Sequence, residues 1–154
     1  MKRLKPSRVI FYLLFLLLFI SLVYGVEFDV KPQSPDQLSI KSGARNWKFN
    51  FTVNNTNSTA SIIQLNITLP EGFEFVNDSN STSTISLFEY DGVGRNLTWG
   101  NDSGLIDANS FAWFSFNVDA PLAFKTFNLT FTVLDNSTII NTTNISITVE
   151  PEVV

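Results

Sequence analysis

The sequence after residue 26 predicts an all-β protein, an antiparallel immunoglobulin-like β-sandwich of about seven to nine strands preceded by an N-terminal hydrophobic helix. Two observations predict it. Apolar and polar residues alternate with a period of two, as in the segment 47–54, whose apolar members are Trp47, Phe49, Phe51 and Val53. Gly, Pro, Asn and Asp clusters separate such runs at short intervals. This combination is typical of two packed sheets, each with one face in the core and one in water.

The strands are expected in a regular order along the chain, each bounded by turn residues. Runs with the period of a strand span 28–31, 47–53, 63–69, 73–76, 84–90, 97–99, 111–118, 127–133 and 145–149. In the third run the alternation places Ile63 on the core side. Turn signals separate the runs at 70–72, 91–94, 101–104 and 120–121. We expect no helix after the N-terminal run.

The N-terminus predicts export. Four basic residues precede an uncharged run, 9–26, that ends at Glu27, and basic flanks stay on the cytoplasmic side. The run fits a signal peptide cleaved after Gly25, but its length also allows an uncleaved signal anchor. We therefore expect a signal peptide or anchor over residues 1–25, a single domain over 26–150 and a tail over 151–154. The basic residues are Lys2, Arg3, Lys5 and Arg8.

Composition excludes several classes of function. Beyond residue 25 there remain six basic and fourteen acidic side chains, a formal charge of −8, which disfavours nucleic acid as a partner. The chain has no cysteine and no histidine. It therefore lacks the residues of Cys/His zinc sites, thiol nucleophiles and Ser-His or Cys-His catalytic pairs. We expect no enzyme and no cofactor.

Sequons, the N-x-S/T acceptor pattern for N-linked glycans, are the densest motif in the chain. Chance would give roughly three at this Asn, Ser and Thr content, and the sequence has about four times as many. Five fall on the polar parity of predicted strands and have an apolar middle residue, while the other seven lie in turn-like sequence. The asparagines are Asn50, Asn66, Asn96, Asn128 and Asn144 in strands, and Asn54, Asn57, Asn77, Asn80, Asn101, Asn136 and Asn141 elsewhere.

Loop carboxylates are the remaining candidates for chemistry. Asp78, Asp91, Asp102 and Asp107 lie in turns that could converge at one end of a sandwich, where oxygen ligands could hold Ca²⁺. None of these segments has the ligand spacing of a calcium loop, so ordinary turn chemistry is the favoured interpretation. Glycosidase chemistry would need two facing carboxylates, and the sequence gives no reason to bring a pair together.

The aromatic segment 111–118 suggests a contact surface. If Phe114 and Phe116 face the core, Phe111 and Trp113 face outward, as a sugar-stacking platform or a subunit contact would require. The alternative is that a neighbouring loop covers this strand on its outer side.

The order of motifs resembles the β-sandwich repeats of archaeal and bacterial cell-surface proteins, of the cell-adhesion-related and S-layer-associated type. The resemblance rests on the lead-in 31–42 with its two prolines, the stretch 47–54, the strand and turn 65–73 and the closing pair of strands 127–134 and 145–149. It implies an Ig-like module used in adhesion, spacing or surface-layer architecture. It implies no catalytic residues.

Together these features predict a heavily N-glycosylated module of an archaeal-type envelope, secreted or held at the cell surface. Its expected partners are other envelope proteins or glycans, and the membrane if the N-terminal segment stays uncleaved. Two alternatives remain open. One is a subunit of an extracellular filament in which the segment 26–40 completes a neighbour's sheet. The other is a carbohydrate-binding accessory module that uses Phe111 and Trp113.

Overall fold

The computed structural model describes residues 27–136, 138 and 140–151, which form an immunoglobulin-like β-sandwich of two facing sheets. The predicted N-terminal helix and cleavage site lie outside the described residues. In chain order the strands are β1 (Phe28–Pro32), β2 (Ser39–Lys41), β3 (Trp47–Asn55), β4 (Ile62–Thr68), β5 (Glu74–Phe75), β6 (Ser81–Thr82), β7 (Leu87–Asp91), β8 (Asn96–Gly100), β9 (Phe111–Asp119), β10 (Lys125–Asp135) and β11 (Ile140–Glu150).

Sheet I has the order β1-β3-β9-β5, with β6 also paired to β9, and sheet II has the order β2-β11-β10-β4-β8-β7. The alternation seen in the sequence builds the core between them, because side chains of one parity in β3, β4, β8, β9 and β10 point inward. Phe51 of sheet I meets Phe131 of sheet II edge to face, with ring centroids 5.0 Å apart. The predicted fold class is therefore confirmed.

The first strands connect the two sheets. β1 forms an edge of sheet I against β3, and a 3₁₀ helix, Pro35–Leu38, then leads to β2, an edge of sheet II. The crossing is fixed by Gln37, whose side-chain amide donates to the carbonyl of Asn50 at 2.8 Å and accepts from its N–H. β2 runs parallel to β11. The sequence predicted only antiparallel pairs, and this pair is an exception.

Nine predicted strands are found, and β2 and β6 are additional. Three further predictions were wrong. A 3₁₀ helix follows β1 although none was expected. The pairing of β4 with β10 shifts register between Leu134 and Asp135. Because of this shift Ile62 is buried in the core and Ile63 is only half-buried, whereas the sequence predicted Ile63 on the core side. Asn54 and Asn141 belong to strands rather than turns, because β3 is paired on both sides up to Asn54 and β11 starts at Ile140.

The sandwich has two distinct ends. The proximal end contains Glu27, where the described chain begins, the loop after β3 and the loop 101–110. The distal end contains the 3₁₀ helix, the β7–β8 turn and the segment 120–124. β3 and β4 run in opposite directions between these ends, and β11 finishes at the distal end.

Candidate functional site

All twelve sequon asparagines lie in the described part of the chain, and none of them is buried. In the five sequons that were predicted to lie in strands, the middle residue points the other way. Four of them, Phe51, Ile67, Leu97 and Leu129, are fully buried, and Ile145 packs partly buried against the core. The predicted outward orientation of the strand sequons is thus confirmed, while their glycosylation stays a prediction.

Two of these sequons face each other on the outer surface of sheet II. Asn128 of β10 lies opposite Ser146 of β11, and Thr130 lies opposite Asn144. The Ser146 hydroxyl donates to Asn128 Oδ1 at 3.2 Å, and the Thr130 hydroxyl donates to Asn144 Oδ1 at 2.8 Å. The hydroxyl of each sequon therefore binds the amide of the other.

The sequons of β4 and β8 are opposed in the same way. Asn66 lies opposite Thr98, and Thr68 lies opposite Asn96, to whose Oδ1 it donates at 2.6 Å. Gln64 donates to Asn66 Oδ1 at 3.0 Å. In these four asparagines, Asn66, Asn96, Asn128 and Asn144, the amide oxygen accepts the hydrogen bond. The amide nitrogen, the atom that would carry a sugar, has no protein partner among the described residues.

Two loop sequons at the proximal end, those of Asn57 and Asn101, adopt Asx turns. The Oδ1 atom of Asn57 accepts from the backbone N–H of Thr59 at 2.8 Å and from its hydroxyl at 3.1 Å. The buried neighbour Asn55 fixes this loop, because its Nδ2 donates to the carbonyls of Ala60, Ile106 and Asp107. The acceptor site at Asn57 therefore has a rigid support.

Asn50 and Asn54 belong to the same strand but differ in environment. Asn50 Nδ2 donates to Gln33 Oε1 at 2.8 Å, and its Oδ1 is buried with no hydrogen-bond partner. Asn54 is half-exposed and makes no side-chain hydrogen bond within the described residues. Of these two asparagines, Asn54 is therefore the one whose amide has no hydrogen-bond partner among the described residues.

The aromatic segment 111–118 is exposed at one end, as a contact surface would be, and covered by a loop in its middle. Ala112, Phe114, Phe116 and Val118 are buried, and Phe111 points outward with 67% of its surface exposed. Trp113 is only half-exposed, because the chain at β6 pairs along β9 and Ser83 exchanges hydrogen bonds with the Trp113 backbone. The covering loop thus protects the middle of β9 and leaves its proximal end bare.

The four loop aspartates do not converge, which corrects the expectation that they could meet at one end. Asp91 caps the distal β7–β8 turn by accepting from the N–H groups of Val93 and Gly94, whereas Asp102 and Asp107 lie at the proximal end. No group of three or more acidic side chains able to hold a metal ion occurs in the described ranges.

Ion pairs strengthen the distal end. Arg45 and Asp119 are 2.7 Å apart, and Lys41 and Glu150 are 3.0 Å apart. The backbone N–H of Asn46 and the Arg45 guanidinium lower the pKa of Asp119, and Asp119 in turn raises the pKa of Arg45. The Ser39 hydroxyl and the Lys41 ammonium lower the pKa of Glu150. Since these groups are exposed, each pair stabilises the fold only slightly.

A groove of about 400 Å³ lies at the proximal edge of sheet II between Leu87 and Asn101. Asp102 is its single carboxylate, and Asn101 donates across it to the carbonyl of Ile85 at 3.0 Å. The groove therefore brings together no acid–base pair. Among the residues that the structure describes, no helix is long and apolar enough to cross a membrane.

Sequence patterns identified the outward asparagines but not their neighbours. The opposed sequons, the Asn55 clamp and the placement of Asn54 beside Phe111 depend on which strands pair and in which register. The one signal available was the equal x-Thr spacing of the strand sequons. It predicts that each Asn and its hydroxyl share a face but does not say which strand lies alongside.

No protein-family model and no curated protein matches the sequence. Solved structures share the fold at low identity. The major pilin subunit BcpA of Bacillus cereus has 8% identity and a TM-score of 0.59, over 81% of this chain and 40% of that one. The bacterial hydrophobin BslA has 13% identity and a TM-score of 0.55, over 85% and 98%.

A collagen-binding domain from a Staphylococcus aureus adhesin has 9% identity and a TM-score of 0.52, over 82% of this chain and 99% of that one. The chain spans well under half the length of the pilin that it matches. At such identities the likeness concerns the fold, and it is a fold that bacterial cell-surface proteins use.

Proposed function

We propose that the chain is an extracellular, heavily N-glycosylated module with a structural or adhesive role in a cell envelope of archaeal type, and that it performs no catalysis. The proposal rests on one observation above all. None of the twelve acceptor asparagines is buried, and in the five sequons predicted to lie in strands the middle residue packs in or against the core. Glycans on the outer faces of the strands could therefore be added without displacing the core.

The absence of disulfides and the sequon density support the archaeal assignment, and the fold shared with pilin, adhesin and hydrophobin structures supports the surface location. Export by residues 1–25 belongs to the same proposal, either with cleavage after Gly25 or with the segment kept as an anchor. The partners are other envelope proteins or glycans, and the acidic surface keeps the module hydrated.

Mass spectrometry of the protein from its native host tests the proposal. Intact mass gives the number of glycans, peptide mapping gives their positions, and N-terminal sequencing shows whether residues 1–25 are removed. A strain without its oligosaccharyltransferase is the control, and there the mass should fall to that of the bare polypeptide. A bare polypeptide in the unmodified host would contradict the proposal.

A filament subunit is the second candidate, and the position of β1 favours it. Within the described residues β1 pairs on one side only, with β3, and it is joined to the rest by a short segment containing Pro35. An edge strand of this kind could leave its own sheet and complete that of the next copy. Electron microscopy and size-exclusion chromatography of residues 26–154 distinguish the two candidates, since a strict monomer at high concentration contradicts the filament.

A further inference from the structure

The outer face of sheet I places a glycan acceptor directly beside an exposed aromatic ring. Asn54 of β3 is paired with Phe111 of β9. Side chains opposite each other in an antiparallel pair share a face, with Cβ atoms about 5 Å apart. On its other side Asn54 is paired with Asp29 of β1. Asp29, Asn54 and Phe111 therefore lie side by side on neighbouring strands of the sheet.

Packing of the fold does not account for the phenyl ring of Phe111. The two other phenylalanines of β9, Phe114 and Phe116, are fully buried, whereas Phe111 is 67% exposed. Trp113 follows two residues later on the same face, opposite Thr52, and is only partly exposed. The outer face of β9 therefore carries an exposed ring beside Asn54 and a second, largely covered ring next to the loop at Ser83.

Asn54 is also the acceptor best able to use this surface. Its amide makes no hydrogen bond within the described residues, whereas the amide of Asn50 is held by Gln33. On sheet II, by contrast, Asn66, Asn96, Asn128 and Asn144 each lie opposite a Ser or Thr residue, and Asn141 lies opposite Val133. A sugar attached at Asn54 would therefore lie beside an aromatic ring, which no sequon asparagine of sheet II has as its partner in these strand pairs.

We propose that Phe111 and Trp113 form a stacking platform for the first sugar residues of the chain's own N-glycan at Asn54. A pyranose ring has one face of C–H groups, and laying that face on an aromatic ring removes apolar surface of both from water. Because the sugar is tethered next to the rings, its effective concentration is high and a weak stacking contact suffices. The inference rests on the proposed glycosylation, and it assigns the aromatic surface to an internal ligand rather than to a foreign one.

Hydroxyl-radical footprinting of the glycosylated protein tests the platform. Labelling of Phe111 is expected to be severalfold lower in protein from the native host than in protein from the strain without oligosaccharyltransferase. Phe124 is a matched control, because it is 69% exposed and lies at the distal end away from any cross-strand sequon. Its labelling should be the same in both preparations.

The variant Thr56→Ala removes the sequon of Asn54 and leaves the asparagine in place. It should restore the labelling of Phe111, whereas Thr98→Ala, which removes the sequon of Asn96 on sheet II, should not. Equal labelling of Phe111 with and without a glycan at Asn54 would overturn the platform.

Peptide mapping separates failure of the platform from failure of the proposed function. A bare Asn54 among otherwise occupied sequons overturns the platform and leaves the glycoprotein module standing. A protein without any glycan overturns both.

Discussion

The two sheets of the sandwich present outer faces of different chemistry. Sheet II presents Asn, Thr and Ser side chains that bind one another across strands, as between Thr130 and Asn144. Sheet I presents Phe111 and Trp113 beside a free acceptor amide, and a loop covers part of it. Since both sheets bury apolar side chains on their inner faces, packing of the core does not dictate this difference. The two faces differ in the residues of the outward parity of their strands.

The largest difference in stability is expected between substitutions on the inner and the outer face of the same strand. Leu129→Ala is expected to lower the free energy of unfolding by about 2–5 kcal/mol, because the Leu129 side chain is fully buried in β10. Asn128→Gln, one residue earlier on the outer face, should change it by no more than about 0.5 kcal/mol in unglycosylated protein. Equilibrium unfolding in guanidinium chloride measures both. Similar losses of unfolding free energy for the two variants would contradict the assignment of Leu129 to the inner face and Asn128 to the outer face.

A smaller effect is expected at Asn55, which neighbours Asn54 but faces the core. Asn55→Ala leaves three carbonyls without their shared donor and should cost about 2 kcal/mol. Asn54→Ala is the matched control and should be nearly neutral without a glycan. Thermal unfolding followed by circular dichroism compares them, and a neutral Asn55→Ala would show that the loop does not depend on the clamp.

Within sheet I, substitution of the covered Trp113 should cost more stability than substitution of the exposed Phe111. Trp113→Ala is expected to destabilise unglycosylated protein by about 1–2 kcal/mol, since most of this residue is removed from water. Phe111→Ala should stay within about 0.5 kcal/mol, because most of the ring is already solvated. Urea unfolding of both variants sharpens the comparison. A costly Phe111→Ala would mean that the ring packs against the fold after all.

The smallest effect concerns acid stability at the distal end. The pKa of Asp119 is lowered in the folded state, so its stabilisation is full above the ordinary carboxyl pKa of about 4 and is lost as the pH falls through the lowered value. Asp119→Asn should therefore reduce the melting temperature slightly at pH 7, and its difference from the parent protein should shrink as the pH falls through the lowered pKa of Asp119. A constant difference across this range would exclude the carboxylate charge as the cause.

Strand positions and inward residues followed from the sequence because a period of two is a local property. Phe51 and Leu129 could be placed in the core from their neighbours alone. The bulge that exchanges Ile62 and Ile63, and the extra strand β2, could not, because both depend on partners distant in the chain. The same limit applies to the candidate site. Exposure of Asn54 and of Phe111 was each predictable, but their pairing required the register of β3 and β9.

The parallel pairing of β2 with β11 has a mechanical consequence. Tension applied between residues 27 and 151 would pull β2 towards the proximal end and β11 towards the distal end, sliding one along the other. The hydrogen bonds of this short ladder, and those between β1 and β3, would then bear the load together instead of opening one at a time. Such a module would resist a force that stretches it between its two ends more strongly than a force that pulls an edge strand sideways from its sheet.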